Sequence, residues 1–217
     1  MIQRLPTTAA PLADDLVRYE TFRAIVGDGQ KADLIDGVIY MASPDSRINN
    51  TLNGFLFKLI SGFIEAKNID GFAFFSRYAC RISDIRAPEP DVGYVRPENA
   101  NRVHENEMEG GPHIAVEIVS RDSVQRDYGE KRELYEAAGV EEYWIVDPRQ
   151  QRVEFLRLNS GRYELVALED NRIFKSSVIP GFWFDVNWLL ARPIPKAYHC
   201  LEEILATPTK PSRKRKR

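Results

Sequence analysis

The sequence predicts a mixed α/β domain whose central β-sheet is partly parallel and flanked by helices. Three observations predict it. Residues 113–119 and 143–146 are short, nearly continuous apolar runs, as expected of strands buried on both faces. Between them lies a helical pattern that stops at Gly139, a residue suited to the left-handed position after a helix. Strand, helix and strand over about 35 residues make a βαβ unit with parallel strands.

The remaining elements follow in chain order. Residues 1–11, with Pro6 and Pro11, read as a loose leader. Residues 12–27 read as a helix with Leu12, Leu16, Tyr19 and Val26 on one face, stopped by Gly27-Asp28-Gly29. Residues 33–41 read as a hairpin, with Asp36-Gly37 supplying the turn that needs positive φ. Ile48, Leu52, Phe55, Leu56, Leu59 and Phe63 recur at helical spacing and mark the clearest amphipathic helix. Residues 72–82 and 92–95 read as strands, and the polar stretch 96–111 as a mobile loop. After Pro148, residues 152–158, 162–167 and 173–179 read as strands, the first two joined by Asn159-Ser160-Gly161. A last apolar run, 180–184, precedes a short helix. This gives a leader at 1–11, a domain at 12–190, and an extension at 191–217 ending in a disordered basic tail.

Composition narrows the function. The chain has 217 residues, enough for one domain with a sizeable core, and 29% of them are charged. The apolar run at 55–64 is broken by Lys58 and Gly62, and no segment reaches the ~18 residues of a membrane span. No secretory signal opens the chain. Cys80 and Cys200 are too far apart in sequence to suggest a zinc site or a disulfide framework, so a reducing, cytoplasmic home is the default. The net charge is −2, but six basic side chains crowd residues 210–217; without them 24 basic residues face 32 acidic ones. A body that acidic is no general polyanion binder, so contact with nucleic acid requires a local basic groove or the tail.

Charged residues where burial is expected locate the chemistry. Glu117 stands in the middle of Ile114-Ala115-Val116-Glu117-Ile118-Val119, where a lone carboxylate must be paired, protonated or bound to a cation. On a helical wheel over 127–138, Lys131 falls on the face shared by Tyr128, Leu134, Tyr135 and Ala138. That crossover helix packs back on the sheet, so its lysine can reach the carboxyl end of the Glu117 strand. Asp91 follows Pro88-Glu89-Pro90 and opens the strand 92–95. Two carboxylates and a lysine at one place suit a hard divalent cation, an activated water and a developing phosphate charge: phosphodiester hydrolysis. The competing reading is a buried Glu117–Lys131 ion pair with Asp91 as a strand-end cap.

Pro90-Asp91-Val92, Val116-Glu117-Ile118-Val119-Ser120, Asp127-Tyr128-Gly129-Glu130-Lys131 and the run from Gly139 to Pro148 occur in an order and spacing that resemble the Uma-two family of restriction-endonuclease-like proteins, within the PD-(D/E)xK nuclease superfamily. Leu34-Ile35-Asp36-Gly37 and Pro180-Gly181 also fit, and the resemblance covers residues 12–190. It implies a restriction-endonuclease-like core and metal-dependent cleavage of nucleic acid, DNA before RNA, with Mg²⁺ or Mn²⁺ held by Asp91 and Glu117. The usual lysine position, two residues after Glu117, holds Val119, and Lys131 matches a lysine displaced to the next helix. By analogy the Ile118 carbonyl is a further metal ligand, and a homodimer cuts both strands. Two departures bear on activity. Asp33 stands where glutamate is usual, which leaves it an accessory role; and Arg47, Ile48, Asn49 and Asn50 occupy the region where the early helix often carries a histidine.

Other residues divide between two readings. Ser120 is either a phosphate contact or a turn residue. His104, His113 and His199 lack ligand spacing and read as ordinary polar residues. Tyr128, Tyr135, Tyr143 and Trp144 read as core before base-stacking. Arg121, Arg126 and Arg132 flank the site as phosphate contacts or solvated surface. The tail is a nonspecific nucleic-acid contact, a nuclear address or a solvated end. A catalytically silent nucleic-acid-binding or regulatory protein on the same scaffold is the second functional reading, because a shared fold does not guarantee shared chemistry.

Overall fold

The computed structural model describes residues 16–27 and 30–207. The expected leader, the first part of the first expected helix and the basic tail lie outside the described residues. Helix α1 (Tyr19–Val26) buries Tyr19 and Phe22. It packs on the hairpin of β1 (Ala32–Ile35) and β2 (Val38–Met41). The Asp36-Gly37 turn has φ of 49° and 74°, as its sequence predicts, and a Cβ on Gly37 would sit 2.6 Å from that of Leu16. Helix α2 (Arg47–Ala66) starts at Ser46, whose hydroxyl accepts from the Asn49 amide at 3.2 Å. The apolar stripe read from its sequence is the buried face: Leu52, Phe55, Leu56, Leu59 and Phe63 together sink against the sheet, at about 2 kcal/mol per side chain.

A six-stranded sheet forms the centre, in the order β10-β9-β8-β7-β5-β3. Its strands are β3 (Phe72–Phe75), β5 (Val92–Val95), β7 (Ile114–Ile118), β8 (Glu142–Asp147), β9 (Arg152–Asn159) and β10 (Arg162–Leu165). The only parallel pair in this sheet is β7–β8, joined by α3 (Lys131–Ala137) as the predicted βαβ unit. Strands β7 and β8 are buried along their whole length. Successive side chains point to opposite faces. Ile114, Val116 and Ile118 face α2 and an aromatic cluster of Trp144, Phe155, Phe174, Phe182 and Phe184. Ala115 and Tyr143 face α3 with Leu134 and Tyr135; Glu117 shares that face.

Several expectations change in detail. Residues 72–82 are two strands: Ser76 and Arg77 take positive φ and turn the chain, so that β4 (Ala79–Arg81) leaves the central sheet. It pairs in parallel with β6 (Glu107–Glu109), an element inside the stretch expected to be loop, which also holds a 3₁₀ turn at Pro97–Arg102. Residues 173–179 shorten to β11 (Ile173–Lys175), paired with β12 (Trp183–Asp185) beside α4 (Asn187–Leu190). Helix α5 (Ala197–Ala206) covers α2. The helix expected over 127–138 begins with one wide π turn, Arg126–Glu130, before α3 proper. No described helix is long and apolar enough to cross a membrane.

Candidate active site

Strand register builds the site. Val92 lies opposite Val116 in the antiparallel β5–β7 pair, so Asp91, one residue earlier, falls opposite Glu117, one residue later. The Asp91 carboxylate accepts the Ile118 amide at 2.6 Å, which ties it to the carboxyl end of β7. Strand β1 crosses nearby: Leu34 and Ala87 exchange backbone hydrogen bonds, and the Glu89 amide donates to Asp33 Oδ1 at 2.8 Å. Helix α3 delivers Lys131, whose Nζ lies 2.8 Å from Asp33 Oδ2 and 2.9 Å from Glu117 Oε1. All of these groups are buried.

Asp33, Asp91, Glu117, Ser120 and Lys131 thus line one cavity of about 420 Å³. The inward face that the helical wheel assigns to Lys131 is the face the structure shows. Ser120 sits at the rim, its amide and hydroxyl both directed at Ser123 Oγ, the geometry of its turn reading. Arg121 and Arg126 line the cavity and Arg132 does not. The histidines have ordinary partners: His113 accepts the Arg96 amide at 3.1 Å, while His104 and His199 face Glu109 and Glu202 at the surface.

Four buried carboxylates, Asp33, Asp91, Glu117 and Asp127, face two ammonium groups, Lys31 and Lys131. Burial pushes Glu117 up from 4.5 to about 8; Lys131 pulls against it, and Asp127 and Asp91 add to the push. Burial likewise lifts Asp127 from 3.8 to about 6, against Lys131 and a hydrogen bond from Ser123. Burial also works to raise Asp33, but Lys131 and Lys31 outweigh it and its carboxyl is lowered. Burial disfavours the Lys131 ammonium, yet Asp33, Glu117 and Asp127 hold its pKa well above 10.5. The cluster therefore holds Lys131 charged beside a Glu117 that keeps its proton near neutral pH.

The family model described as "Putative restriction endonuclease", Uma2, matches residues 14–187. The chain belongs to this family. A crystal structure titled as a putative nuclease of DUF820 from Anabaena variabilis shares the fold. Its TM-score is 0.68 at 17% identity, over 80% of this chain and 97% of that one. No curated protein matches the chain. The Uma2 membership and the mixed sheet between helices agree with the resemblance drawn from the motifs.

Four residues around this cavity are not singled out as site residues by the sequence. Lys31, just before β1, forms an ion pair with Asp91 Oδ1. Asp127 lies 3.8 Å from Lys131 and accepts the Ser123 hydroxyl. Asp127 and Lys131 stand four residues apart across the wide turn at Arg126–Glu130, and such turns recur at functional sites. Tyr135, read as core, donates its hydroxyl to Glu117 Oε1 at 2.9 Å. Asn49, in the region where the resemblance expects a histidine, donates to the Ile118 and Val119 carbonyls, both at 3.3 Å. The signal for Asp127 was present in its spacing of four from a buried lysine; Lys31 carried none.

The donor set bears on which cation fits. Asp91, Glu117 and the Ile118 carbonyl offer hard oxygen atoms, and neither His nor Cys lines the cavity. Among the described residues no three acidic, His or Cys side chains are grouped closely enough to form a complete protein cage. Two carboxylates with water completing the shell suit a Mg²⁺-like ion and not zinc.

Proposed function

We propose that the chain is a metal-dependent nuclease that hydrolyses phosphodiester bonds of nucleic acid, DNA in the first instance, with Mg²⁺ or Mn²⁺ as cofactor. The observation that carries this reading is the buried Lys131, held between Asp33 and Glu117 in the cavity that also contains Asp91. Asp91 and, on giving up its proton, Glu117 would hold the cation, which would supply charge neutralisation at the phosphate and a more acidic water. Asp91 is oriented for this by the Ile118 amide. Lys131 has three N–H donors; Asp33 and Glu117 take two, leaving one for the attacking water or a phosphate oxygen. Asp33 acts on Lys131 as a positioning residue. Arg121, Arg126 and Arg149 line the same cavity and offer cations for the phosphates on an otherwise acidic body.

The second reading, a silent binding scaffold, draws on one observation: both oxygens of Asp91 are already engaged, one by Lys31 and one by the Ile118 amide. The test is cleavage of plasmid and single-stranded DNA with Mg²⁺, Mn²⁺ or EDTA, comparing the wild type with Lys131→Ala and Glu117→Gln. Metal-dependent cutting lost in both folded variants supports the nuclease. No cutting by the wild type on either substrate, with Lys131→Ala chiefly losing stability, supports the silent scaffold.

A further inference from the structure

Lys31 is a cavity-lining ammonium that the roles described above leave out. It lies outside the acid, acid and lysine set, yet it pairs with one of the two carboxylates that would hold the cation. Its side chain is about one-fifth exposed, against 3% for Lys131. A lysine at a cavity mouth, with a flexible four-carbon stem and one carboxylate in contact, has room to exchange partners, whereas Lys131, wedged between three carboxylates, does not.

The occupancy of Asp91 makes this consequential. Its Oδ2 accepts the Ile118 amide, a donor fixed on its strand, which leaves Oδ1 as the oxygen held by a movable side chain. Oδ1 is the atom Lys31 holds. A divalent cation at contact distance on the same oxygen repels the ammonium more strongly than the single negative charge of the carboxylate attracts it, so the ammonium is the group that gives way.

We infer that Lys31 is a displaceable counter-ion. It neutralises Asp91 while no divalent cation is bound, leaves Oδ1 when one binds, and is then taken up by an anionic phosphate of the substrate. This rests on the nuclease reading and deepens it. Cation affinity is low while Lys31 must be released into water, and higher once a phosphodiester offers the ammonium a new partner. By linkage, the cation strengthens substrate binding by the same factor that substrate strengthens cation binding.

The test is calorimetric titration of the full chain with Mn²⁺, without substrate. The variants are Lys31→Met, Lys31→Arg, Arg149→Met and Asp91→Asn, each checked for folding by circular dichroism. Lys31→Met keeps the stem and removes the charge, and should tighten Mn²⁺ binding on the order of tenfold, the scale of one adjacent charge. Lys31→Arg should bind no tighter than the wild type. Arg149→Met, which removes a cavity-lining cation not paired with Asp91, should shift affinity far less. A second titration adds a non-cleavable phosphorothioate oligonucleotide, which should tighten Mn²⁺ binding in the wild type and not in Lys31→Met.

Wild-type binding that Asp91→Asn abolishes but Lys31→Met leaves unchanged or weaker overturns the counter-ion role alone. Equal tightening by Lys31→Met and Arg149→Met does the same, since the effect is then general charge. Failure of the oligonucleotide to tighten wild-type binding overturns the substrate hand-over. Absence of Mn²⁺ binding in every variant overturns the nuclease reading and the inference with it. Binding in Lys31→Met with none in the wild type supports the inference in its strongest form.

Discussion

Two glutamates lie buried on neighbouring central strands, Glu117 on β7 and Glu142 on β8. They sit at opposite ends of the parallel pair: Glu142 is level with Ile114, and Glu117 with Ile145. Glu142 is saturated by a clamp of mostly neutral donors. Oε1 accepts the Ser177 amide at 2.6 Å and its hydroxyl at 2.7 Å, with Arg157 at 3.4 Å. Oε2 accepts Ser176 Oγ at 2.9 Å and Trp144 Nε1 at 3.3 Å. Glu117 instead faces a cavity, a lysine and two further carboxylates that raise its pKa. Burial alone therefore does not mark a site. A carboxylate closed off by fixed donors fastens a segment, here residues 176–177 to the sheet. One left among titratable neighbours at the edge of a cavity is poised for chemistry.

Substitution by glutamine should separate the two most sharply. Glu117→Gln should lower nuclease turnover by about 10³-fold, the scale of losing one preorganised group, with little loss of stability at pH 8. Glu142→Gln should show the reverse: full activity per folded molecule, but a stability loss of about 2 kcal/mol in urea titration. The carboxamide NH₂ must face either the Ser177 amide and Arg157 or the Trp144 indole, and each of these can only donate. Similar signatures for both variants would break the comparison.

The raised pKa of Glu117 sharpens it with a definite sign. The native state keeps this proton up to about pH 8, whereas the unfolded chain releases it near 4.5. Between those values the native state binds more protons, so the stability this group contributes is full below about 4.5 and declines as pH rises through 8. Glutamine mimics the protonated acid and does not titrate. Urea midpoints should therefore favour Glu117→Gln over the wild type progressively from pH 5 to 8. A constant difference across that range would show that the Lys131 pair holds Glu117 ionised throughout. The smallest effect belongs to Ser123→Ala. It removes a donor to Asp127 and an acceptor for the Ser120 amide, and should cost about 1 kcal/mol with less than a tenfold fall in turnover.

The same contrast explains what could be read from the chain. The βαβ unit is legible because apolar runs and a helical stop are local signals, and Glu117 and Lys131 stand out as charges on apolar faces. Glu142 interrupts no such pattern because it opens its strand, and Asp127, at the edge of its helix, is marked only by its spacing of four from Lys131. Lys31 lies in a polar stretch, 60 residues from its partner Asp91, so only the folded register unites them. The split of 72–82 was hidden for a different reason: Ser76 and Arg77 adopt left-handed backbone without a glycine to announce it. Tyr135 was legible as buried, but its hydroxyl partner depends on the pairing of α3 with β7.

The wide turn at Arg126–Glu130 carries a consequence for how such chains diversify. A π turn is an α-helix with one residue inserted, and one residue is worth about 100° of rotation. Gly129 sits in it with open space where a Cβ would stand. Deleting Gly129 would remove no side chain and would move Asp127 from four residues before Lys131 to three, re-aiming its carboxylate around the helix while the strands that carry Asp91 and Glu117 are untouched. A single codon lost or gained at this point would thus re-aim one carboxylate of the cavity by a step of the helix, a smaller change than any substitution in the sheet could make.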